Sequence, residues 1–163
     1  MNIFIPSAGI GKRLRPITNY IPKPLIKIRG EENLLRIIKR FKKVDTIIVN
    51  VSYLSDKIIN FLRIQNLKSL SIYKEAEPLG VIGGLYNAFS VMKENDIFVH
   101  NSDIYFDGDI DTILKSDGDL VLGLVKNGIK DVLINDNGEI IKIANYSFNN
   151  GNGSKWYGYS GIM

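Results

Sequence analysis

Short apolar runs rich in β-branched residues alternate with amphipathic helical patterns along this chain, and that alternation is the strongest constraint on its fold. The apolar runs predict strands at 2–5, 46–51, 69–75, 96–101 and 119–125. Helical patterns fall at 32–43, 55–65, 81–94 (in its second half) and 109–116. Repeated strand–helix–strand units form right-handed crossovers that build a mostly parallel sheet. We therefore predict an α/β, Rossmann-like fold with a mostly parallel sheet flanked by helices on both faces.

The sequence pattern changes after residue 126. The stretch "DVLINDNGEIIKIA" (131–144) contains two short apolar runs around Asn137-Gly138, a dipeptide that favours hairpin turns. A further strand is predicted in "KWYGYSGIM" (155–163). At 163 residues the chain is long enough to bury a core. We predict a single domain, 1–163, in which a β-hairpin extension follows the α/β body.

Charge and composition limit the class of partner. The net charge is +4 with basic residues spread along the chain, whereas nucleic-acid-binding domains usually carry a stronger basic stripe. An anionic small molecule is at least as good a candidate, and we expect no nucleic acid. The absence of cysteine excludes disulfides and thiolate metal sites. No run has the pattern of a signal peptide or the length of a membrane span, so we expect a cytoplasmic protein without membrane association.

Ligands of open α/β sheets bind at the carboxyl ends of the strands. Three segments that follow predicted strands are therefore candidates for a site: 6–25, 75–84 and 100–109. In the first, the glycines of "SAGIG" (7–11) let backbone N–H groups approach an anion without a Cβ in the way. Arg13 offers a planar fork to phosphate oxygens, and Lys23 offers a compact charge. The prolines between them stiffen the loop.

The first segment also resembles a known signature. Gly9-x-Gly11-x-Arg13-Leu14-x-Pro16-x-Thr18, followed by Pro22-Lys23-Pro24-Leu25, is similar to the motif of the sugar-phosphate nucleotidyltransferases. These enzymes join a nucleoside triphosphate to a sugar 1-phosphate and release pyrophosphate. The resemblance implies a nucleotide-binding loop and two catalytic residues, which are Ala8, Gly9, Gly11 and Lys12 for the loop and Arg13 and Lys23 for catalysis. A solvated surface charge is the alternative for Lys12.

The second segment, "EAEPLGVIGGLYNA" (75–88), resembles the part of that family that contacts the base and the sugar. The resemblance implies that Gly80 lets the base approach the backbone and that Glu77 lies near the base or the ribose. For Gly83-Gly84, close packing at the start of a helix is an equally good interpretation.

The third segment, "HNSDIYFD" (100–107), is similar to the family's metal-binding block. The resemblance implies that Asp103 is a catalytic residue that holds Mg²⁺, the expected cofactor, and that Asn101 binds substrate. A carboxylate suits this ion, which prefers hard oxygen ligands. His100 is interpreted as strand packing, and Asp109 as the cap of the helix at 109–116.

The chain departs from the family pattern in several places. Ser102 stands where the family usually has glycine, and Val81 stands where threonine is common. "YGYSGIM" (157–163) resembles a strand near the sugar pocket, which implies that Gly161 binds substrate. Nothing after it matches the family's second acidic metal ligand. We favour a domain that lacks its C-terminal part over a shortened homologue that holds metal poorly.

Two classes of function remain open at this stage. The leading hypothesis is an enzyme that condenses a nucleoside triphosphate with a sugar 1-phosphate. The alternative is a non-catalytic module of similar fold that binds nucleotide or sugar phosphate and regulates a partner. "EPLG" (77–80) is similar to guanylyltransferases of mannose- or heptose-type substrates, whereas "IPSAG" (5–9) is similar to glucose-phosphate uridylyl- or thymidylyltransferases. The first is weakly favoured, and a homo-oligomer is left open.

Overall fold

The computed structural model describes residues 1–41, 44–92 and 97–115, together with positions 124–125, 132–134, 137, 139–143, 146–147 and 155–159. The chain forms two compact units, Met1–Asp107 and Gly108–Met163. The single domain expected from the sequence stays a prediction. Among the described helices, none combines the length and apolar character needed to cross a bilayer.

The first unit is an α/β body. Its strands are β1 Asn2–Pro6, β2 Lys27–Ile28, β3 Glu31–Glu32, β4 Thr46–Val51, β5 Leu70–Lys74 and β6 Ile97–Val99. Its α-helices are α1 Asn33–Arg40, α2 Ser55–Ile64 and α3 Gly80–Phe89. Three 3-10 turns lie between β1 and β2, at Lys12–Leu14, Ile17–Asn19 and Lys23–Leu25. The main sheet has the order β5-β4-β1-β6.

The pairing of this sheet is parallel throughout. Strand β1 pairs in parallel with β4 on one side and with β6 on the other, and β4 pairs in parallel with β5. The side chains of Ile3, Phe4 and Ile5 are completely buried, as expected for a central strand covered on both faces. The predicted α/β fold, a mostly parallel sheet flanked by helices, is confirmed.

The local sequence pattern predicts α1 correctly but places the start of α3 too late. In α1, Leu34, Ile37 and Ile38 are buried at helical spacing, as the sequence predicts. Helix α3 begins at Gly80, earlier than the predicted second half of 81–94. Glycine is unfavourable inside helices. The pair Gly83-Gly84 therefore leads a prediction from sequence pattern to place the start of α3 too late.

The second unit contains α4 Ile110–Leu114 and an antiparallel sheet. Asp109 caps α4 by accepting from the Asp111 N–H at 2.9 Å, as predicted. The strands are β7 Leu124–Val125, β8 Val132–Ile134, β9 Ile140–Ile143, β10 Tyr146–Ser147 and β11 Lys155–Tyr159, in the order β10-β9-β8-β11-β7. The predicted hairpin is the antiparallel pair of β8 and β9.

The strand predicted at 119–125 differs from expectation in its partner. Its described part, β7, pairs antiparallel with β11, whereas the sequence pattern predicts it as a strand of the α/β body. An apolar run predicts burial but not the strand beside it, because pairing depends on residues distant in sequence.

Candidate functional site

A cavity of about 380 Å³ opens at the carboxyl ends of the parallel strands. Its walls come from the three segments that follow β1, β5 and β6, and from β4. The lining residues are Pro6, Ser7, Ala8, Gly9, Gly11, Lys12, Arg13, Leu14, Lys23, Pro24, Asn50, Pro78, Gly80, Val81, Asn101, Ser102 and Asp103.

Most of the residues singled out from the sequence meet in this one cavity. Those that line it are Ala8, Gly9, Gly11, Lys12, Arg13, Lys23, Gly80, Asn101 and Asp103. Glu77 is exposed and is not part of the lining. Gly161 lies outside the described residues. The roles of all these residues stay predictions, but their convergence is a property of the fold.

The glycine-rich loop has two kinds of glycine. At Gly11, φ is +68°, and a Cβ would meet Thr18 Cγ2 at 3.0 Å. The Gly11 carbonyl accepts from the Thr18 hydroxyl at 3.0 Å, which fixes the turn. At Gly9 a Cβ would meet nothing within 4 Å. Gly11 therefore shapes the loop, whereas Gly9 leaves its backbone open to the cavity.

Positive charge lies along one side of the cavity. Lys12 and Arg13 are exposed and belong to the 3-10 turn that follows the glycines. Among the described residues neither side chain forms an ion pair. Their charge is therefore available to an anion in the cavity.

Lys23 and Asp103 form an ion pair inside the cavity. Their side chains are 26% and 33% exposed, so solvent and ligands reach both groups. The pair joins the first candidate segment to the third. It gives the site one cation and one carboxylate that a bound ligand can separate.

The carboxylate fits one kind of metal site. Within the described residues no group of three or more His, Cys, Asp or Glu side chains could hold an ion. Mg²⁺ commonly takes one or two carboxylates and completes its shell with water and substrate phosphates. Asp103, with Asn101 beside it on the cavity wall, suits such a shared ion and not a cage built by protein alone.

Sequence reasoning missed Asn50 and Glu75, which are both buried. Asn50 Oδ1 accepts from the Ser7 N–H at 2.8 Å, and its Nδ2 donates to Glu75 Oε1 at 2.7 Å. Glu75 Oε2 accepts from the Leu79 N–H at 3.1 Å. This network, Ser7–Asn50–Glu75–Leu79, joins the glycine-rich loop to the turn before α3. The polar Asn50 within the apolar run "TIIVNV" was the signal that could have found it.

Helix α3 packs directly on this network. A Cβ at Gly84 would lie 2.4 Å from Asn50 Nδ2, 2.9 Å from Glu75 Oε1 and 3.1 Å from Phe4 Cζ. The backbone at Gly84 therefore lies closer to the network than it could if this residue carried a Cβ. The close-packing interpretation holds for Gly84.

Ser102 and His100 are buried residues of the third segment. The Ser102 hydroxyl donates to the Pro6 carbonyl at 2.6 Å, so the serine ties this loop to the end of β1. His100 is completely buried, which confirms its predicted packing role. Desolvation by burial, together with the nearby charges of Arg40 and Arg36, lowers the pKa of His100 to about 4. The imidazole is therefore neutral at neutral pH.

Comparisons with known proteins place this chain in a family. The family model for Nucleotidyl transferase matches residues 4–121. The mannose-1-phosphate guanylyltransferase catalytic subunit beta of Danio rerio is 35% identical over an alignment of 122 residues, and the match covers 71% of this chain and 34% of that protein. The bifunctional protein GlmU of Methanocaldococcus jannaschii is 31% identical over 146 residues, 88% of this chain and 35% of that protein.

A solved structure is similar over nearly the whole chain. HddC from Yersinia pseudotuberculosis, complexed with GMP-PN, matches with a TM-score of 0.76 and 26% identity, and the match covers 99% of this chain and 74% of that one. The chain spans about a third of the length of the curated relatives it matches. The resemblance read from the glycine-rich motif is confirmed, and the chain belongs to the Nucleotidyl transferase family.

Proposed function

We propose that this chain carries the catalytic region of a sugar-1-phosphate nucleotidyltransferase, which condenses a nucleoside triphosphate with a sugar 1-phosphate. The observation that carries the proposal is the single cavity in which Arg13, Lys23 and Asp103 meet beside an open glycine backbone. Family membership supports the same reaction class.

The reaction suits a cavity whose described lining carries charged side chains and no histidine. A phosphate oxygen of the sugar 1-phosphate attacks the α-phosphorus, a new P–O bond forms, the bond to the bridging oxygen breaks, and pyrophosphate leaves. The attacking oxygen is already anionic, so it needs no deprotonation. His100, neutral and absent from the cavity lining, fits a reaction without a general base. Catalysis is then positioning and charge neutralisation.

Each charged residue has a proposed role in that scheme. The backbone between Ala8 and Gly11 approaches the phosphates, and Arg13 supports the leaving pyrophosphate with its planar fork. Lys23 leaves its pair with Asp103 and bridges the phosphates that react. Such preorganised donors typically contribute about 10²–10³ in rate each.

Asp103 is the proposed protein ligand of Mg²⁺. When bound, the ion would neutralise charge on the triphosphate as pyrophosphate departs. Asp103 holds its carboxylate at the cavity wall, and Lys23 is the group that would have to move from it.

The finer substrate assignment follows the relatives. We propose a guanine nucleotide and a mannose- or heptose-type sugar, in the cytoplasm. A mannose-1-phosphate guanylyltransferase is 35% identical, and the similar HddC structure is a complex with GMP-PN. Gly80 supports close approach of a base, since its φ is +75° and a Cβ there would meet nothing within 4 Å.

A non-catalytic binding module is the second candidate. Asp103 is the one acidic residue that the described part of the chain contributes to the cavity lining. A site with a single carboxylate can bind a nucleotide without supporting turnover. This alternative makes the same binding predictions and differs in catalysis.

A pyrophosphate-release assay separates the two. The full chain would be tested with each of the four nucleoside triphosphates against a panel of sugar 1-phosphates. We expect turnover that falls at least 10²-fold in Arg13→Ala and in Asp103→Asn. Arg15→Ala is the matched control, because Arg15 is exposed and outside the cavity lining. Nucleotide binding without turnover would reject the enzyme and leave the binding module.

A further inference from the structure

Asn33, the first residue of α1, contacts the backbone of the loop that carries Asp103. Asn33 is 2% exposed, and its Nδ2 donates to the carbonyl oxygen of Ser102 at 2.8 Å and to that of Ile104 at 3.1 Å. These two carbonyls belong to the residues on either side of Asp103. One side-chain amide therefore fixes the backbone immediately before and immediately after the carboxylate.

The rest of the same helix holds the remainder of this loop. Arg36, one turn further on, pairs with Asp107 at 2.9 Å and places its guanidinium carbon 3.6 Å from the centroid of the Tyr105 ring. Arg40 donates to the Phe106 carbonyl. Residues at this spacing share one helix face. A single face of α1 thus contacts the loop along 102–107.

We propose that Asn33 is a positioning residue for Asp103. By holding the carbonyls of Ser102 and Ile104, it fixes where the Asp103 carboxylate stands opposite Lys23 and where it meets a metal ion. The inference rests on the proposed function, because it takes Asp103 as the metal ligand. Asn33 lies outside the cavity lining, so we expect it to act through the loop and not by contact with substrate.

The chemistry of the contact demands a donor with two hydrogens. A primary amide can donate to two carbonyl oxygens at once, whereas an aspartate of the same shape only accepts and would repel both. Loss of the amide frees the loop on both sides of Asp103. Outer-shell partners of a metal ligand commonly change metal affinity by about 10–100-fold.

The test measures how much a metal strengthens nucleotide binding. Calorimetry would give the GTP dissociation constant with Mn²⁺ and with chelator, and the ratio of the two is the metal enhancement. In Asn33→Asp we expect that enhancement to fall at least tenfold, while the constant without metal changes less than twofold. Asn33→Ser, which keeps one donor hydrogen, should fall between it and the wild type, and it replaces Asn33→Asp if that variant does not fold.

Ile37→Val is the matched control. Ile37 is completely buried in the same helix, and its side chain has no donor to offer the loop carbonyls, so the variant should unfold at a lower temperature with unchanged metal enhancement. If Asn33→Asp and Asn33→Ser lower the unfolding temperature and keep the wild-type enhancement, Asn33 is merely structural and the proposal is overturned.

Asp103→Asn distinguishes this failure from failure of the proposed function. If Asp103→Asn abolishes the enhancement and the Asn33 variants do not change it, the positioning role alone is wrong. If Asp103→Asn leaves the enhancement intact, the metal assignment is wrong and the role of Asn33 fails with it.

Discussion

Lys23 and Asp103, which are 80 positions apart in sequence, form an ion pair within one cavity at the carboxyl edge of the parallel sheet. Neither side chain is buried enough for the pair to contribute much stability, since exposed pairs are worth about 0–1 kcal/mol. The arrangement concentrates the charge that the proposed reaction needs. We therefore expect the pair to matter for the proposed catalysis more than for folding.

Lys23→Met separates these two contributions. We expect kcat for pyrophosphate release to fall about 10²–10³-fold, with a change of no more than about 1 kcal/mol in the free energy of unfolding. Steady-state kinetics and urea denaturation measure the two effects. Lys27→Met is the control, because Lys27 is exposed and pairs with Glu32 outside the cavity. Equal activity in both variants would remove Lys23 from the mechanism.

Glu75→Gln tests the network behind the glycine-rich loop. Glu75 accepts from Asn50 and from the Leu79 N–H, so the amide of glutamine must direct its own hydrogens at one of two donors. A buried mismatch of this kind costs about 1–3 kcal/mol. We expect that loss in urea denaturation, together with a severalfold higher KM for the nucleotide because the Ser7 loop shifts.

The control for that variant is Asp56→Asn, because the Asp56 carboxylate is exposed and pairs with Lys74. It should change neither stability nor KM. If Glu75→Gln loses stability but keeps the wild-type KM, the network supports the fold without shaping the site.

Gly84→Ala should destabilise the protein. The added Cβ would lie 2.4 Å from Asn50 Nδ2 and 3.1 Å from Phe4 Cζ, so α3 must move away from the sheet. Overpacking of this kind costs about 1–3 kcal/mol, more than the gain in helix propensity. Asn60→Ala, on an exposed position of α2, should gain that propensity without a clash. Urea denaturation of both variants would decide, and a stabilised Gly84→Ala protein would contradict the close packing.

His100 should make folding stability depend on pH. Burial lowers its pKa from 6.5 to about 4, so over that interval the unfolded chain binds a proton that the folded protein refuses. Its contribution is fully present above pH 6.5 and is lost as the pH falls to about 4, for a total of roughly 3 kcal/mol. Arg36 and Arg40 act in the same direction as burial.

Urea denaturation at pH 7.5 and at pH 4.5 would measure the contribution of His100 to the free energy of unfolding. The carboxylates titrate in the wild type and in His100→Gln alike. The difference between the two proteins in stability lost on acidification is therefore due to the imidazole. We expect the variant to lose less stability on acidification. Identical losses in the two proteins would show that the folded protein accepts the proton at no cost.

The convergence of Gly9, Arg13 and Asp103 could be predicted from the sequence, because the carboxyl ends of parallel strands share one edge. The partners of buried polar groups could not. Asn50 lies in an apolar run and Asn33 follows Glu31-Glu32 at the start of an amphipathic helix. Their hydrogen-bond partners belong to segments that meet them only in the folded chain. The prediction for β7 was wrong for the same reason, because an apolar run does not indicate which strand will pair with it.

The end of β1 holds both sides of the cavity. The Ser7 N–H donates to Asn50, and the Pro6 carbonyl accepts from the Ser102 hydroxyl. The spacing between the side of the cavity that carries Asn50 and the side that carries Ser102 is therefore set by two adjacent residues, Pro6 at the end of β1 and Ser7 directly after it. We therefore expect any widening of the cavity on the side of Gly80, where an added Cβ would meet nothing within 4 Å.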